Sequence, residues 1–386
     1  MKKVYFDNAA STPIDPQVLK LVEKEMKNNF GNSSSLHAFG QAAKKVLEES
    51  RKSIAKIINA DSNEIFFTSS ATESNNLVLK GISDAYRNKG KTIIISAIEH
   101  DSILESAKDL ETKGFKIKYA PVNKFGVVKL KELEKLIDAD TILVSVMHAN
   151  NEIGTIEPIT AIAKICHKHN ILFHTDAAQT LGKLPIDVKK MDIDLLTASS
   201  HKIYGPKGAA FLYIKDSIKI TPQIIGGGQE NGLRASTINV PAIAGFTKAI
   251  EITNKQIKSD KKRIKTLSDY LIKQILKIIP KSYLTGDPKN RLYNIVSFRF
   301  AGVEGESILM ALNELGIAVS TGSACSSQDL LPSHVLAACG LNPDEIHGSV
   351  RISLGRFTKK SEIDYLIQIL PDIIEKLRKI SPYGKQ

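Results

Sequence analysis

The sequence predicts an α/β protein built around a mainly parallel β-sheet. Short β-branched runs alternate with longer helical patterns, which is typical of successive strand–helix–strand units. The runs are apolar almost throughout, as expected for parallel strands that helices cover on both faces. Both observations apply to the first half of the chain, and the second half adds a smaller set of strands and helices.

In the first half, a helical pattern begins at Thr72, and from Asp192 to Ile214 two shorter strands follow each other closely. Ahead of them, five runs have the length and composition of buried strands. These five runs are 64–70, 92–100, 116–122, 141–151 and 171–179.

A long helical pattern from about Val240 to Ile279 leads into a second region. There the runs NIVSFRF, GIAVSTG and SVRISLG predict strands, and residues 305–315 and 360–380 predict helices. We therefore expect a large domain over residues 16–256, and a small domain formed by residues 1–15 and 257–386.

Composition excludes several classes of protein. The chain has 386 residues, a formal net charge of +12 and 42% hydrophobic residues, which is enough for substantial cores. It has no apolar run of about 20 residues and no secretory signal pattern, so we expect no membrane span and a cytoplasmic location. No basic stripe is interleaved with aromatic residues, so we expect no nucleic-acid partner. The three scattered cysteines do not form a disulfide framework.

Polar clusters follow five of the predicted strands. Because ligands of parallel α/β sheets bind at the carboxyl ends of the strands, these clusters predict one shared site. They are Thr68–Thr72, His100, Asn151, Asp176–Gln179 and Ser199–Lys202.

The chemistry of these clusters suits a flat, phosphorylated heterocycle. Ser70 and Glu73 have capping-box spacing, and the helix N-terminus they begin can bind a phosphate or can simply be capped. Asp176 can cap a helix or can face a protonated ring nitrogen, and His100 can stack on a ring or serve only in packing. Lys202, in a desolvated and cationic setting, can form a Schiff base. Together these features describe a pyridoxal phosphate enzyme.

The chain resembles the cysteine desulfurases of the NifS/IscS type over nearly its whole length. Ten motifs carry the resemblance in order: YFDNAAST, FGNSSSLH, FTSSATESNN, EH at Glu99–His100, MHANNEIG, FHTDAAQ, SSHKIYGPKG, GGGQENGLRAS, STGSACSS and RISLGRF. The resemblance implies the α/β fold of fold-type I pyridoxal 5′-phosphate (PLP) transferases. That fold has a large domain with a mainly parallel seven-stranded sheet flanked by helices, plus a smaller α+β domain.

The resemblance also implies a role for each matched residue. Lys202 would hold PLP covalently, Asp176 would pair with the pyridine nitrogen, Gln179 would contact the ring hydroxyl, and His100 would stack on the ring and carry protons. The phosphate would be held by the remaining cofactor-binding residues, namely Ala71, Thr72, Ser199, His201 and Thr237, with Thr237 reaching across from a second subunit. Asn151, which also belongs to the cofactor set, would hold the substrate carboxylate with Arg356, near Asn32. One departure concerns Thr237, since this chain has Arg234-Ala235-Ser236-Thr237 where the family usually has Arg-Ser-Gly-Thr.

Cys325 lies in the small-residue stretch STGSACSS, and the resemblance makes it the thiol that receives sulfur from L-cysteine as a persulfide. This stretch is expected to be mobile, with Cys325 transiently near an iron–sulfur cluster. Cys166 lies beside His167 and His169, but helical neighbours diverge, so we expect no metal site there. Cys339 is expected to be structural.

The resemblance implies a homodimer that passes sulfur to an acceptor protein such as an iron–sulfur scaffold or a thiolation enzyme. Two related activities remain open at this point, a selenocysteine lyase and an aminotransferase on the same fold. A non-enzymatic basic scaffold is the alternative from a different class.

Overall fold

The computed structural model describes residues 3–321 and 332–381. Its strands are β1 (Val4–Tyr5), β2 (Ile65–Thr68), β3 (Thr92–Ser96), β4 (Lys116–Ala120), β5 (Thr141–Ser145), β6 (Leu172–Asp176), β7 (Leu195–Ser199), β8 (Ala210–Ile214), β9 (Ser282–Leu284), β10 (Ile295–Phe300), β11 (Ile317–Ala318) and β12 (Ser349–Ser353). Its helices are α1 (Pro16–Asn28), α2 (Ala38–Ile58), α3 (Ala71–Tyr86), α4 (Asp101–Thr112), α5 (Leu130–Leu136), α6 (Ile159–Lys168), α7 (Val240–Ile278), α8 (Gly305–Glu314), α9 (His334–Ala338), α10 (Pro343–His347) and α11 (Lys360–Ile380).

The main sheet has seven strands in the order β2-β8-β7-β6-β5-β3-β4. The five strands from β7 to β4 run parallel to their neighbours, whereas β8 is antiparallel to both β2 and β7. The prediction of a mainly parallel sheet is therefore confirmed. The close succession of β7 and β8 along the chain is what allows the antiparallel pairing, because no crossover helix separates them.

Both faces of this sheet are buried, as the apolar runs predict. Ile93 and Ile95 of β3 pack in a core with α3 and α4, whereas Ile94 between them packs in a second core with α2, α6 and α7. Successive side chains of a strand point to opposite faces, so a strand covered on both sides must be apolar at every position.

A second group of elements has its own core. It contains the antiparallel sheet β12-β10-β9 and the parallel pair β1–β11, covered by α8 and α11. Val4 and Phe6 belong to this core, so the N-terminal residues pack with the second region although they are far from it in sequence. The predicted helix over 360–380 matches α11, and the predicted strand in GIAVSTG is limited to the two residues of β11.

Helix α7 joins the two cores. Over its 39 residues, the buried side chains up to Ile252 belong to the first core, and those from Ile264 onward belong to the second. The predicted domain boundary near residue 256 falls between these two sets, inside a continuous helix, and stays a prediction. Among the described residues beyond that boundary, four buried side chains pack with the first core instead: Val335, Leu336, Cys339 and Ile346.

Candidate active site

The carboxyl ends of the parallel strands bring the predicted polar clusters to one edge of the sheet. Asp176 is the last residue of β6 and Ser199 is the last residue of β7. Ser199 pairs with Ala210, which pairs in turn with Thr68 at the end of β2. This register places the start of α3 beside the turn that carries Lys202.

Asp176 is held in a fixed orientation. Its side chain is only 7% exposed, and its two oxygens accept hydrogen bonds from Asn75 Nδ2 at 2.8 Å and from the Ala178 backbone N–H at 2.8 Å. Asn75 lies on the buried face of α3, so the helix that begins at Ala71 also orients the carboxylate. The sequence prediction did not identify Asn75 as part of the site.

Lys202 lies in a single 3₁₀ turn, Ser200–Lys202, directly after β7. Its Nζ donates to the carbonyl oxygens of Ala9 at 2.6 Å and Ala10 at 2.8 Å. Gln179 Nε2 donates to the same Ala9 oxygen at 2.9 Å. The N-terminal segment therefore connects the two predicted cofactor residues, a contact that only the motif YFDNAAST could have suggested.

At the start of α3, one of the two hydrogen bonds of the predicted capping box is present and the other is not. Ser70 Oγ accepts from the Glu73 N–H at 3.1 Å, as expected. The Glu73 carboxylate does not turn back to Ser70; it accepts from Arg234 Nε at 2.7 Å and from Ser69. Ala71 and Thr72 are thus the first residues of a capped helix whose N–H groups can bind an anion.

His201 follows Ser199 in the same turn, with its Nδ1 at 3.2 Å from Ser11 Oγ. Burial, together with the positive charges of Lys202, Lys207 and Lys183, lowers the pKa of His201 to about 4. The ring is therefore neutral near pH 7 and can donate one N–H to a phosphate oxygen.

His100 is the N-cap of α4, where its Nδ1 accepts from the Ser102 N–H at 3.1 Å. This contact leaves Nε2 as the nitrogen for proton transfer. Glu99, directly before it, is buried and accepts from Ser96 Oγ and the Met147 N–H. Burial raises the pKa of Glu99 to about 8. Glu99 therefore adds no full negative charge behind His100 at neutral pH.

Asn151 lies beside an arginine that the sequence prediction missed. Arg351 donates from one Nη to the Asn151 carbonyl at 3.0 Å and from the other to Asp7 Oδ1 at 2.8 Å. It is 3% exposed, and its buried Nε has no hydrogen-bond partner among the described residues. An arginine in the buried strand SVRIS was the available signal, since a buried charge needs a partner.

Arg356 occupies different surroundings. Its guanidinium pairs with Asp260 at 2.9 Å and Asp15 at 3.2 Å, donates to Thr253, and lies 4.5 Å from the Tyr204 ring centroid. The structure thus commits Arg356 to two carboxylates near α7. It does not support the prediction that Arg356 meets Asn151, because Arg351 of the same motif takes that position.

Asn32 and Thr237 are exposed, and within the described parts of a single chain neither hydrogen-bonds to another predicted site residue. The Asn32 side chain accepts from the Ser34 N–H at 3.0 Å. Thr237 follows Ala235 and Ser236 in the loop that Arg234 ties to Glu73. An exposed Thr237 in this loop is compatible with a contact to a second subunit.

Cys325 lies outside the described residues. Cys166 and Cys339 are both buried, and burial raises the pKa of each thiol to about 12. His167 contacts Asp192 and Asp194 rather than Cys166, and no cluster of metal-ligating side chains occurs in residues 3–321 and 332–381. No helix in the same ranges is long and apolar enough to cross a membrane.

Comparisons with known proteins point to one family. The family model described as Aminotransferase class-V matches residues 4–366. Cysteine desulfurase IscS of Dictyoglomus turgidum is 49% identical over 385 residues, covering 100% of this chain and 98% of the relative. A cysteine desulfurase of Homo sapiens is 44% identical, covering 99% of this chain and 84% of the relative.

Solved structures agree with these relatives. A NifS-like protein superposes with a TM-score of 0.92 at 39% identity, covering 97% of this chain and all of that one. The structure described as SspA in complex with cysteine superposes with a TM-score of 0.83 at 34% identity, covering 92% of this chain and all of that one.

Proposed function

The chain belongs to the class-V aminotransferase family and, within it, to the cysteine desulfurases, and from this premise we propose that Lys202 holds PLP while Cys325 receives the sulfur of L-cysteine. The observation that carries the proposal is the convergence of Lys202 and Gln179 on the Ala9 carbonyl, beside the fixed carboxylate of Asp176. The enzyme converts L-cysteine to L-alanine and mobilises the sulfur.

The residues present fit PLP. Asp176 offers a buried carboxylate with no neighbouring arginine or lysine in hydrogen-bond contact among the described residues, which suits a protonated ring nitrogen. The start of α3, with Ala71 and Thr72, and the segment that carries Ser199 and His201 offer the donors that a phosphate needs. When bound, PLP supplies an electron sink for the carbon that loses its proton.

Lys202 supplies both the attachment point and a base. The carbonyls of Ala9 and Ala10 hold Nζ at this edge of the sheet. When it is not joined to PLP, the neutral Nζ would accept the Cα proton of cysteine. His100 is placed to move a second proton through Nε2, because its Nδ1 is held by the Ser102 N–H.

The substrate carboxylate is held by Arg351 with Asn151. Arg351 is buried, and its Nε has no hydrogen-bond partner in the part of the chain that the structure describes, whereas Arg356 already binds two carboxylates. A carboxylate at Nε would complete the hydrogen bonding of Arg351 and would lie next to Asn151. Asn32 stays a proposed neighbour of the substrate.

Sulfur transfer uses the Cys325 thiolate. Its Sγ attacks the substrate Sγ, an S–S bond forms, and the substrate Cβ–Sγ bond breaks with its electron pair going to the substrate carbon. A proton added at Cβ then gives alanine, and the sulfur stays on Cys325 as a persulfide. Cys166 and Cys339 are unsuited to this role, since a buried thiol with a raised pKa forms little thiolate.

The enzyme works as a homodimer that passes sulfur to an acceptor protein, such as an iron–sulfur scaffold, with Cys325 transiently near a cluster. Large apolar side chains at Phe30, Leu36 and Phe39 are exposed in a single chain, with Leu36 93% exposed, and suit a subunit interface. Thr237 would complete the phosphate site of the partner. We propose a cytoplasmic location and no nucleic-acid or membrane partner.

The test is a Cys325→Ser variant with Cys339→Ala as the matched control. Both variants should bind PLP and show its visible absorbance, because neither residue is the proposed attachment point. With L-cysteine, the Cys325→Ser protein should form no protein persulfide by alkylation and mass spectrometry, whereas the Cys339→Ala protein should form it as the wild type does. Wild-type alanine release by Cys325→Ser would contradict the proposal and would favour direct release, as in a selenocysteine lyase.

A further inference from the structure

A second lysine lies behind the predicted cofactor site. Lys183 is 7% exposed, and its Nζ donates to the backbone carbonyl of Gln179 at 2.9 Å and to Gln179 Oε1 at 3.3 Å. Within residues 3–321 and 332–381, no carboxylate pairs with it. Lys183 is therefore a buried ammonium whose observed partners are a neutral carbonyl and a neutral amide.

The backbone around Lys183 is firmly placed. The Lys183 N–H donates to the Thr180 carbonyl at 2.9 Å, within a turn that begins directly after Ala177. Gly182 before it has φ +71°, and a Cβ there would lie 2.7 Å from Thr253 Cγ2. The turn therefore packs against α7 and directs Lys183 inward.

Such a lysine is costly for stability. A buried cation without a carboxylate partner loses favourable hydration, and an apolar side chain of similar length does not have this cost. Burial lowers the pKa of Lys183 to about 7, and the positive charge of Lys202 adds to this effect. The charged side chain that acts on Lys183 is Lys202, and the neutral ring of His201 also lies close to Lys183. A residue that lowers stability in this way calls for a functional reason.

The hydrogen bonds supply that reason. A protonated lysine has donors only, so in that form Lys183 must face Gln179 Oε1. The Gln179 NH₂ then points away, towards the Ala9 carbonyl. Without Lys183, only the Ala9 oxygen would select this amide orientation, and that oxygen is shared with Lys202. We propose that Lys183 is a positioning residue that fixes the Gln179 amide, so that its NH₂ faces the ring hydroxyl of a cofactor joined to Lys202.

This inference rests on the proposed function, because it needs PLP on Lys202. The readout is the pH titration of the visible absorbance of resting enzyme, without substrate. A hydrogen-bond donor that faces the ring hydroxyl stabilises the anionic form of this oxygen. The oxygen then binds the proton of the nearby imine less strongly, so the imine loses that proton at lower pH. Replacing Lys183 removes both this orientation of the Gln179 amide and a nearby positive charge. The pH midpoint of the absorbance titration should therefore rise.

The experiment compares Lys183→Met with Lys189→Met. Lys189 is an exposed lysine that pairs with Asp61, so its variant should titrate as the wild type does. Lys183→Met should raise the midpoint by about 0.5–1.5 pH units. It should also keep or raise the thermal midpoint, because it removes an uncompensated cation.

A double-variant cycle tests the route through Gln179. Gln179→Leu should itself raise the midpoint, and adding Lys183→Met to it should shift the midpoint by less than half as much as in the wild type. Lys183→Leu, which also lacks a donor, replaces the methionine variant if that protein does not fold.

Two results would overturn the inference. The first is a Lys183→Met enzyme with the same titration midpoint as the wild type. The second is a Lys183→Met substitution that shifts the midpoint of the Gln179→Leu protein as much as it shifts that of the wild type. Failure of the proposed function gives a different result, since wild-type protein would then show no visible band to titrate.

Discussion

At the residue scale, the two arginines of RISLGRF, Arg351 and Arg356, have different surroundings. Arg351 in β12 faces Asp7 and the Asn151 carbonyl, and its Nε meets no acceptor in residues 3–321 and 332–381. Arg356 is enclosed by Asp15, Asp260 and the Tyr204 ring. One arginine is thus available to a substrate carboxylate, and the other joins α7 to the segment after β12.

The first prediction compares Arg351→Lys with Arg356→Lys. A lysine has a single ammonium group and cannot reproduce the several N–H donors of the arginine guanidinium. Arg351→Lys should therefore raise KM for L-cysteine at least about 10-fold, which corresponds to the loss of one charge-assisted hydrogen bond. Arg356→Lys should lower the thermal midpoint and leave KM nearly unchanged. Steady-state alanine release and thermal unfolding measure both effects. If instead Arg356→Lys raised KM and Arg351→Lys did not, the result would contradict this assignment and would indicate that Arg356 holds the substrate carboxylate.

The sequence predicted which polar residues lie together at one edge of the sheet, because those residues follow strands. Asp176, Ser199 and Lys202 lie at strand ends, and parallel strands place their ends together. Arg351 and Asn75 were missed because their roles depend on contacts with Asp7 and Asp176, which are distant in sequence. The choice of Arg356 came from the motif, and its pairing with Asp15 and Asp260 could not be read from local spacing.

At the scale of elements, the segment between β5 and α6 carries a buried acid. Glu157 is 3% exposed; its Oε2 accepts from the Val128 N–H at 2.9 Å, and its Oε1 has no partner among the described residues. Burial raises the pKa of Glu157 to about 8. The folded protein therefore holds a proton there that the unfolded chain releases at lower pH.

The second prediction follows from the sign of this pKa shift. Between the unfolded pKa near 4.5 and the folded pKa of about 8, the folded state binds more protons, so Glu157 makes stability fall as pH rises. Glu157→Gln has no such proton, so its stability relative to wild type should improve from pH 6 to pH 8 by roughly 1–3 kcal/mol. Thermal midpoints at both pH values check this. A variant that loses relative stability over this range would contradict the assigned pKa.

Helices and strands were predictable where patterns are long and local. The limits of α7 and α11 agree with the sequence within one residue, because each has a continuous amphipathic pattern. β11 is shorter than its apolar run because its partner β1 has only two residues. The position of β8 between β7 and β2 depends on pairing with β2 across 142 or more residues of chain, which composition does not encode.

At the scale of the whole molecule, two cores meet at the site. The N-terminal segment packs Val4 and Phe6 into the second core, and a few residues later its Ala9 and Ala10 carbonyls hold Lys202, which extends from the first sheet. Arg351 also comes from the second group of strands. The arrangement of the two cores therefore sets the distance between the amine and the group proposed to hold the substrate carboxylate.

The measurement that tests the central claim most directly is the covalent site of PLP. The wild-type protein is loaded with PLP, reduced with borohydride to trap the imine, digested, and analysed by mass spectrometry. We predict the phosphopyridoxyl mass on Lys202 and no comparable labelling of the nearby Lys183. Labelling of Lys183 or another lysine in place of Lys202, or no stable labelling at all, would contradict the account.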